Sequence, residues 1–281
     1  PLLFLLFSTV LNVGLDLLFI MVFRWGVAGA AIATVTAQAV SVGCSLCLIR
    51  RKKLPFDFSL RWIRFEGRYI KRIFKIGVPI ALQELLVQFS FLFIQVIVNG
   101  MGVAQSAAVG VAEKVCVFLM LVASAYMQSI SAFVAQNNGA GRPVRSRQAL
   151  FYGIKTALAA GAVMGALAFF GGSLLSGIFT SEPLVMANAH AYLKAYAIDC
   201  LLTAILFCFV GYFNGCGRTA FVMVQGVVGA FCVRIPVVFL MSRLEDATLF
   251  HIGLGTPISS MVQIILCAIA FRVFQKSCEK R

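Results

Sequence analysis

Asp16 stands one helical turn after Asn12 inside an almost uncharged apolar run, which puts an amide carbonyl and a carboxylate on one helix face. Two hard oxygen ligands of this kind suit Na⁺, and the same carboxyl is a proton site when neutral. Glu84, Glu113 and Asp199 also fall in or beside apolar runs. A carboxyl at the centre of a spanning helix costs about 3 kcal/mol on insertion scales, so such residues tend to mark an ion or substrate path. Glu84 and Asp199 enter their runs from opposite sides. At about 1.5 Å of rise per residue both reach mid-membrane depth, and they form a second acid pair. Glu113 is followed at once by Lys114 at an expected helix start, which reads as an interfacial structural pair. Arg234, just before Pro236, has two readings: a buried counter-ion to Asp199 or Glu84, or a side chain that snorkels to the outer interface.

The acids belong to longer polar stripes. At about 100° per residue, Thr9, Asn12 and Asp16 share one narrow face. So do Thr34, Gln38, Ser41 and Ser45; Glu84, Gln88, Gln95 and Asn99; Glu113, Ser124, Gln128 and Ser131; and Tyr192, Tyr196, Asp199 and Thr203. Polar groups facing lipid would go unsatisfied, so these faces must meet protein or a wet cavity. Helix joining by Ser, Thr and Gln accounts for any single stripe. Several stripes bearing acids point instead to an internal hydrophilic cavity, with Gln38, Gln88, Gln95, Gln128 and Tyr196 as its expected polar lining. Gly161-x-x-x-Gly165 reads only as a packing motif.

Other residue types that often carry chemistry read as structural here. His190 and His251 lie near outer boundaries without further ligands nearby. Cys44 and Cys47 form a C-x-x-C, but in an apolar helix with no His, where small packing residues are the expected role. The Gly-rich stretch Asn137–Arg142 lacks a Walker lysine pattern and a preceding strand, so it is a tight turn. No metal site is expected beyond Na⁺, no cofactor beyond Na⁺ or H⁺ as a coupling ion, and no enzymatic site.

These residues are carried by a chain of 281 residues that is 61% hydrophobic and 12% charged. An ordinary soluble domain has roughly 45–50% apolar and about 25% charged residues. The apolar residues come in runs of about 20, the length needed to cross a hydrocarbon core. The expectation is an all-α polytopic transmembrane bundle of eight spans, at about 2–23, 27–49, 75–99, 113–136, 148–172, 185–214, 219–241 and 250–274. The chain starts at Pro1 with no basic n-region and no small-residue cleavage site. Its first run is therefore expected to span rather than to be a signal peptide, and the chain to be a fragment whose N-terminal part is missing.

Short connections carry turn residues, as in Arg24-Trp25-Gly26, Asn137–Gly141 and Asn214–Gly217. The exception is 50–74, a basic linker with a surface helix, opening on Arg50-Arg51-Lys52-Lys53. This segment, the 142–147 loop, Arg218 and the tail from Arg272 fall on one side. Arg24 and Arg243 are the loop cations of the other. Lys and Arg enrichment marks cytoplasmic loops, which places both termini in the cytoplasm of a multi-pass plasma-membrane protein. The net charge of +14 is this topology signal and not a nucleic-acid footprint. A faint repeat relates 11–16 and 26–32 to 231–236 and 252–258, pairing the first two spans with the last two. Repeats of that kind are typical of transporters.

Four stretches carry a resemblance to a known family. Ile76-Gly77-Val78-Pro79-Ile80-Ala81-Leu82-Gln83 resembles the start of the seventh helix of the multidrug and toxic compound extrusion (MATE) family, and Ala107-Ala108-Val109-Gly110-Val111-Ala112-Glu113-Lys114 resembles its eighth-helix entry. Ala135–Gly141 and Gly211–Gly217 are similar to its cytoplasmic turns. The resemblance implies twelve helices in two six-helix lobes, of which this chain would hold helices five to twelve. Residues 1–49 would be a two-helix remnant of the N-lobe, 50–72 a basic cytoplasmic linker and 73–281 a complete six-helix C-lobe. It further implies that Asn12, Asp16 and Thr34 match an N-lobe cation site, completed in the family by an Asp of the first helix. Asp199 matches a tenth-helix acid, with Glu84 as the seventh-helix candidate.

The function so implied is secondary active export of amphipathic or cationic compounds by alternating access, as a monomer in the lipid bilayer, in exchange for Na⁺ or H⁺. Phe89, Tyr196 and Tyr212 are aromatic candidates for the drug path. A lipid-linked precursor flippase of the same superfamily would call for more cationic residues in the cavity. A non-transporting membrane fragment is the remaining alternative.

Overall fold

The computed structural model describes residues 2–51 and 66–279, with side chains over 6–47, 66–71 and 73–274. Among the described residues every regular element is helical. Seven helices are long and apolar enough to cross a membrane, and Leu6–Val22 is a shorter apolar helix beside them, in agreement with an all-α bundle of about eight spans. The centre of the expected basic linker, 52–65, lies outside the described residues. The chain divides into two compact units, 1–67 and 68–281.

The first unit is a helical hairpin. Helix α1 runs Leu2–Asp16 and continues as a π-helical segment, Leu17–Val22; helix α2 runs Gly26–Arg51. A tight turn joins them, with both Arg24 and Gly26 at positive φ. Phe19, Phe23 and Trp25 stack over this turn with ring centroids 5.2–6.0 Å apart. The helices pack where α2 offers small residues: Ala33 and Ala37 are buried, and Ser8 Oγ donates to the Ala37 carbonyl at 3.2 Å.

The second unit holds α3 (Gly67–Asn99), α4 (Val103–Gly139), α5 (Pro143–Gly177), α6 (Pro183–Gly215), α7 (Thr219–Met241) and α8, whose two parts, Leu249–Gly253 and Gly255–Glu279, meet at Leu254. Helix α6 is its axis, packed against α4, α5 and α8. Two apolar clusters hold the unit together. One gathers Val98, Val109, Leu119, Leu193, Val238 and Ile252; the other gathers Val134, Leu150, Phe209, Phe213, Val222 and Cys267. Gly161 and Gly165 of α5 lie on α6 so closely that a Cβ on either would stand 2.9 Å from a backbone oxygen, of Cys200 and Ala197 respectively. The G-x-x-x-G motif is therefore a packing seam, as its spacing suggests.

The turns after α4 and α6 are built alike. Arg142 N–H donates to the Asn137 carbonyl at 2.8 Å, and Arg218 N–H donates to the Phe213 carbonyl at 2.9 Å. Gly141 and Gly217 supply the left-handed residue that this helix ending requires. Asn138 ties the turns together, its Nδ2 donating to Cys216 Sγ at 3.3 Å and its Oδ1 accepting from Ser146 Oγ at 2.9 Å.

Two helices are longer than their apolar runs. Helix α3 starts at Gly67 and so takes in residues expected to be linker. Helix α4 starts at Val103, ten residues before the expected start at 113. Hydropathy marks where a helix meets lipid, whereas backbone hydrogen bonding carries the helix on through Gln105 and Ser106. Helix α7 contains the π-helical segment Val228–Arg234. Pro236 has no N–H to offer and its ring crowds the carbonyl four residues back, a conflict that local widening of the helix relieves. Ser259 of α8 donates to the Gly229 carbonyl in this segment at 2.7 Å. Both α1 and α7, the spans paired by the faint repeat, thus carry a π-helical segment.

Candidate functional site

The polar stripes of α3, α4 and α6 converge in the second unit. They enclose, with α7 and α8, a cavity of about 510 Å³. That volume lies within the ~300–1,000 Å³ typical of small-molecule sites. Glu84 and Gln88 reach it from α3, Glu113 and Ser124 from α4, and Tyr192, Tyr196, Asp199 and Thr203 from α6. Helix α7 contributes Gln225 and Arg234, and α8 contributes Thr256, Ser260 and Gln263. Phe91, Val117, Met120, Leu121 and Phe207 give the same walls an apolar component. The cavity can thus meet both the polar and the apolar parts of one guest.

Asp199 is only 4% exposed, and Ser260 Oγ donates to its Oδ1 at 2.6 Å. Thr203, one turn along α6, also bonds the carboxylate. Arg234 is 8% exposed, and its Nη1 donates to Ser90 Oγ at 3.1 Å while the guanidinium lies 4.6 Å from the Phe91 ring centroid. Of the two readings of Arg234, the structure thus favours burial over snorkelling. Its hydrogen-bond and ring partners are Ser90 and Phe91, and Asp199 stands within electrostatic reach of the guanidinium. Among the described residues of this unit, Asn214 Oδ1, Gln225 Oε1 and Arg234 Nε are buried without a hydrogen-bond partner. All three residues line the cavity.

Among the cavity-lining residues, Glu113 corrects the sequence reading. With α4 extended back to Val103, Glu113 stands about three turns inside the helix and faces the cavity with Asp199. Lys114 points away and lies 5.7 Å from the Phe179 ring. The polar stripe through Glu113 was the signal that could have placed it. Of the expected polar lining, Gln88 and Tyr196 stand in the cavity wall. Gln95 lies at the end of α3 in a cluster with Asn99 and Ser106, joined by bonds of 2.6–3.1 Å. Gln128 is exposed on α4, and Phe89 is exposed on α3. Tyr212 packs edge-on against Phe213 and Phe271. Gln38 lies exposed on α2, in the first unit.

The first unit joins Asn12 and Thr34 across its hairpin. Asn12 Nδ2 donates to Thr34 Oγ1 at 3.3 Å, and Thr34 Oγ1 donates to the Ala30 carbonyl at 3.0 Å. Asp16 closes the α-helical part of α1, with the π-helical segment beginning at the next residue, and its Oδ1 is buried with no hydrogen-bond partner. Asp16 follows Asn12 by one turn of the same helix.

The two histidines are structural. His190 bridges α5 and α6 through Ser173 Oγ and the Phe169 carbonyl, each at 2.9 Å. His251 caps α8 against Thr248. Among the described residues no group of three His, Cys, Asp or Glu side chains could hold a metal ion.

A family model described as MatE matches residues 79–240, more than half of the chain. The chain belongs to that family. The multidrug export protein MepA of Staphylococcus saprophyticus is 28% identical over 267 residues, covering 94% of this chain and 56% of that protein. The probable multidrug resistance protein YpnP of Bacillus subtilis is 28% identical over 269 residues, covering 95% of this chain and 59% of that protein. The chain spans a little over half the length of these relatives. Among solved structures, a MOP superfamily transporter from Pyrococcus furiosus superposes with a TM-score of 0.91 at 19% identity, covering 99% of this chain and 63% of that one. An outward-facing multidrug resistance MATE family transporter superposes with a TM-score of 0.90 at 19% identity and the same coverage. At this identity the structures speak for the fold alone. The chain is a multi-pass membrane protein of the MatE family.

Proposed function

We propose that this protein works as part of a multidrug efflux transporter of the plasma membrane. In this reading it exports amphipathic cations by alternating access, in exchange for Na⁺ or H⁺. The observation that carries the reading is the cavity of the second unit, where Glu84, Glu113 and Asp199 face apolar and aromatic walls. Carboxylates in a low-dielectric wall attract a cation, and the apolar surface takes up its hydrophobic body. The names of MepA and YpnP support the same assignment. No enzymatic role is proposed, since the cavity's side chains fit binding and release.

Asn12, Asp16 and Thr34 are proposed as the coupling site, in which Na⁺ or a proton would engage Asp16 and bias the conformational equilibrium. A carboxylate that gains or loses a cation can shift such an equilibrium only through different affinities in the two states. The flippase reading is less favoured, because among the described residues Arg234 is the only cation lining the cavity, against three acids.

The test is direct. Ethidium efflux is measured from efflux-deficient cells expressing the protein, with Na⁺ and pH gradients imposed separately. Efflux that follows one gradient supports the proposal. The proposal fails if ethidium retention is unchanged under both gradients and the purified protein also binds no ethidium.

A further inference from the structure

The strongly basic end of the second unit carries a groove between α5 and α8. Both helices pack on α6, and the rings of Phe151 and Phe271 bridge them with centroids 5.9 Å apart. Phe271 is buried against Phe209 of α6, whereas Phe151 is half exposed, so the ring pair floors a groove that opens outward. Three cations surround this pair. On α5, Arg147, Phe151 and Lys155 follow one another at intervals of one turn and share a face. On α8, Arg272 follows Phe271 directly. Phe274 turns toward α7, where it meets Phe221 at 6.1 Å, and at about 100° per residue this sets Arg272 on the other side of Phe271, toward α5. Lys155 and Arg272 are exposed and Arg147 partly so. Among the described residues Lys155 lies over the Tyr152 ring at 6.0 Å, and no carboxylate pairs with any of the three cations. The described acids of this unit stand elsewhere. Glu84, Glu113 and Asp199 line the cavity, and Glu182, Glu245 and Asp246 belong to the opposite end of the bundle.

Depth sharpens the point. Helix α5 has 35 residues, a length of about 52 Å against a hydrocarbon core of ~30 Å. With the helix centred, Lys155 falls about one turn inside the hydrocarbon edge. A lipid-facing cation there is costly unless its charge reaches the headgroups. Helical side chains tilt toward the N-terminus, which carries the Lys155 ammonium back toward Phe151 and Arg147. The three charges then converge on one headgroup level. Snorkelling into bulk headgroups accounts for Lys155 alone, but not for two further unpaired cations around the same aromatic cleft. We infer that this groove binds an anionic phospholipid. Its phosphodiester sits among Arg147, Lys155 and Arg272, and an acyl chain lies against Phe151 and, two turns deeper than Lys155 on the same face, the small exposed Ala162. Basic pockets between spanning helices are suited to such headgroups. The apolar floor is what selects a lipid over a free phosphate. The site lies apart from the cavity and does not depend on what the cavity binds.

The experiment is native mass spectrometry of the purified protein in mild detergent, titrated with phosphatidylglycerol or with phosphatidylcholine of the same chain length. The wild type is expected to bind phosphatidylglycerol more tightly. Lys155→Gln and Arg272→Gln are each expected to weaken phosphatidylglycerol about fivefold, the effect of one surface cation, and to leave phosphatidylcholine unchanged. Lys155→Arg keeps the charge and is expected to bind as the wild type does. Arg145→Gln removes an exposed cation of the same end that lies over Phe133 of α4, outside the groove, and is expected to change nothing. Arg147→Gln stands in if either groove variant does not fold. Equal affinity of the wild type for the two lipids would overturn the proposal. So would an equal loss in Arg145→Gln and the groove variants, which would mean diffuse attraction to a basic surface. Inorganic phosphate at the lipid's concentration is the last arm and should not displace phosphatidylglycerol. Displacement by phosphate would mean an anion site without an acyl groove and would overturn the lipid assignment.

Discussion

Ser260 Oγ of α8 donates to Asp199 Oδ1 of α6 at 2.6 Å, which pins a buried carboxylate to the face of a second helix. The bond fixes where the charge sits and leaves the identity of the charge to Asp199 itself. The two residues therefore separate in their expected effects. Asp199→Asn should weaken ethidium binding to the purified protein by about tenfold or more, a difference of about 1.4 kcal/mol. Ser260→Ala should cost less, since it keeps the carboxylate and touches the cation interaction only indirectly. Fluorescence titration checks both. An Asp199→Asn protein that binds ethidium as the wild type does would remove this acid from the site.

The seam between α5 and α6 gives a stability prediction. An alanine methyl at 161 would stand 2.9 Å from the Cys200 carbonyl oxygen and 3.0 Å from Ala204 Cβ, so the helices must part to admit it. Gly161→Ala is expected to destabilise the protein by about 1–3 kcal/mol, the usual cost of overpacking. Gly171→Ala is the control, because its added methyl meets nothing within 4 Å. The control should raise or preserve the thermal midpoint, alanine being the better helix former. Thermal unfolding in mild detergent reads both, and a Gly161→Ala midpoint at or above wild type would refute the close-packed seam.

Much of the architecture was legible from the sequence, and the reasons differ from element to element. The spans announce themselves because a helix in lipid must be apolar over its whole buried length. Gly161 and Gly165 were readable as packing because only small residues let backbones come so close. The stripe with Glu84 and Gln88 and the stripe with Tyr196 and Asp199 were readable because period alone puts the residues of each on one face. Arg234 was not fixed by the same reasoning, since a long cationic side chain near a helix end can turn either way. Glu113 was set at a helix start because the stretch before it is not apolar enough to look like a span. Gln95 and Gln128 share stripes with cavity residues yet stand elsewhere. A face wide enough for several residues meets more than one neighbour, and periodicity does not say where one neighbour ends.

Charge asymmetry among the loops gives a topology that can be tested at described positions. Arg145 and Arg218 belong to the strongly basic side and Arg243 to the other. In a background with the nine cysteines replaced, a Cys placed at 145 or 218 should react with an impermeant maleimide only after the membrane is opened. A Cys placed at 243 should react from outside in intact cells. Labelling of 145 in intact cells would reverse the orientation derived from the Lys and Arg distribution.

The first unit makes the sharpest claim about coupling. Asp16 Oδ1 has no hydrogen-bond donor, whereas Asn12 and Thr34 are engaged with each other at 3.3 Å. Asp16, one turn from Asn12 on the same helix, is the one charged residue of the three, so it is the group whose charge would matter most. Asp16→Asn keeps the side-chain size and one carbonyl oxygen, so packing of α1 on α2 should survive and expression should stay near normal. The amide can neither release a proton nor offer a carboxylate to Na⁺. Ethidium efflux by the Asp16→Asn protein should therefore lose its dependence on the imposed ion gradient and fall to the level of cells lacking the protein. Asn12→Ala removes one neutral ligand and leaves the charge, so it should lower the apparent affinity for the coupling ion while some gradient-driven efflux remains. Binding of ethidium to purified Asp16→Asn should be retained, because the cavity of the second unit is lined by other residues. Gradient-driven efflux at the wild-type rate in Asp16→Asn would move the coupling role from the hairpin to Glu84 and Asp199.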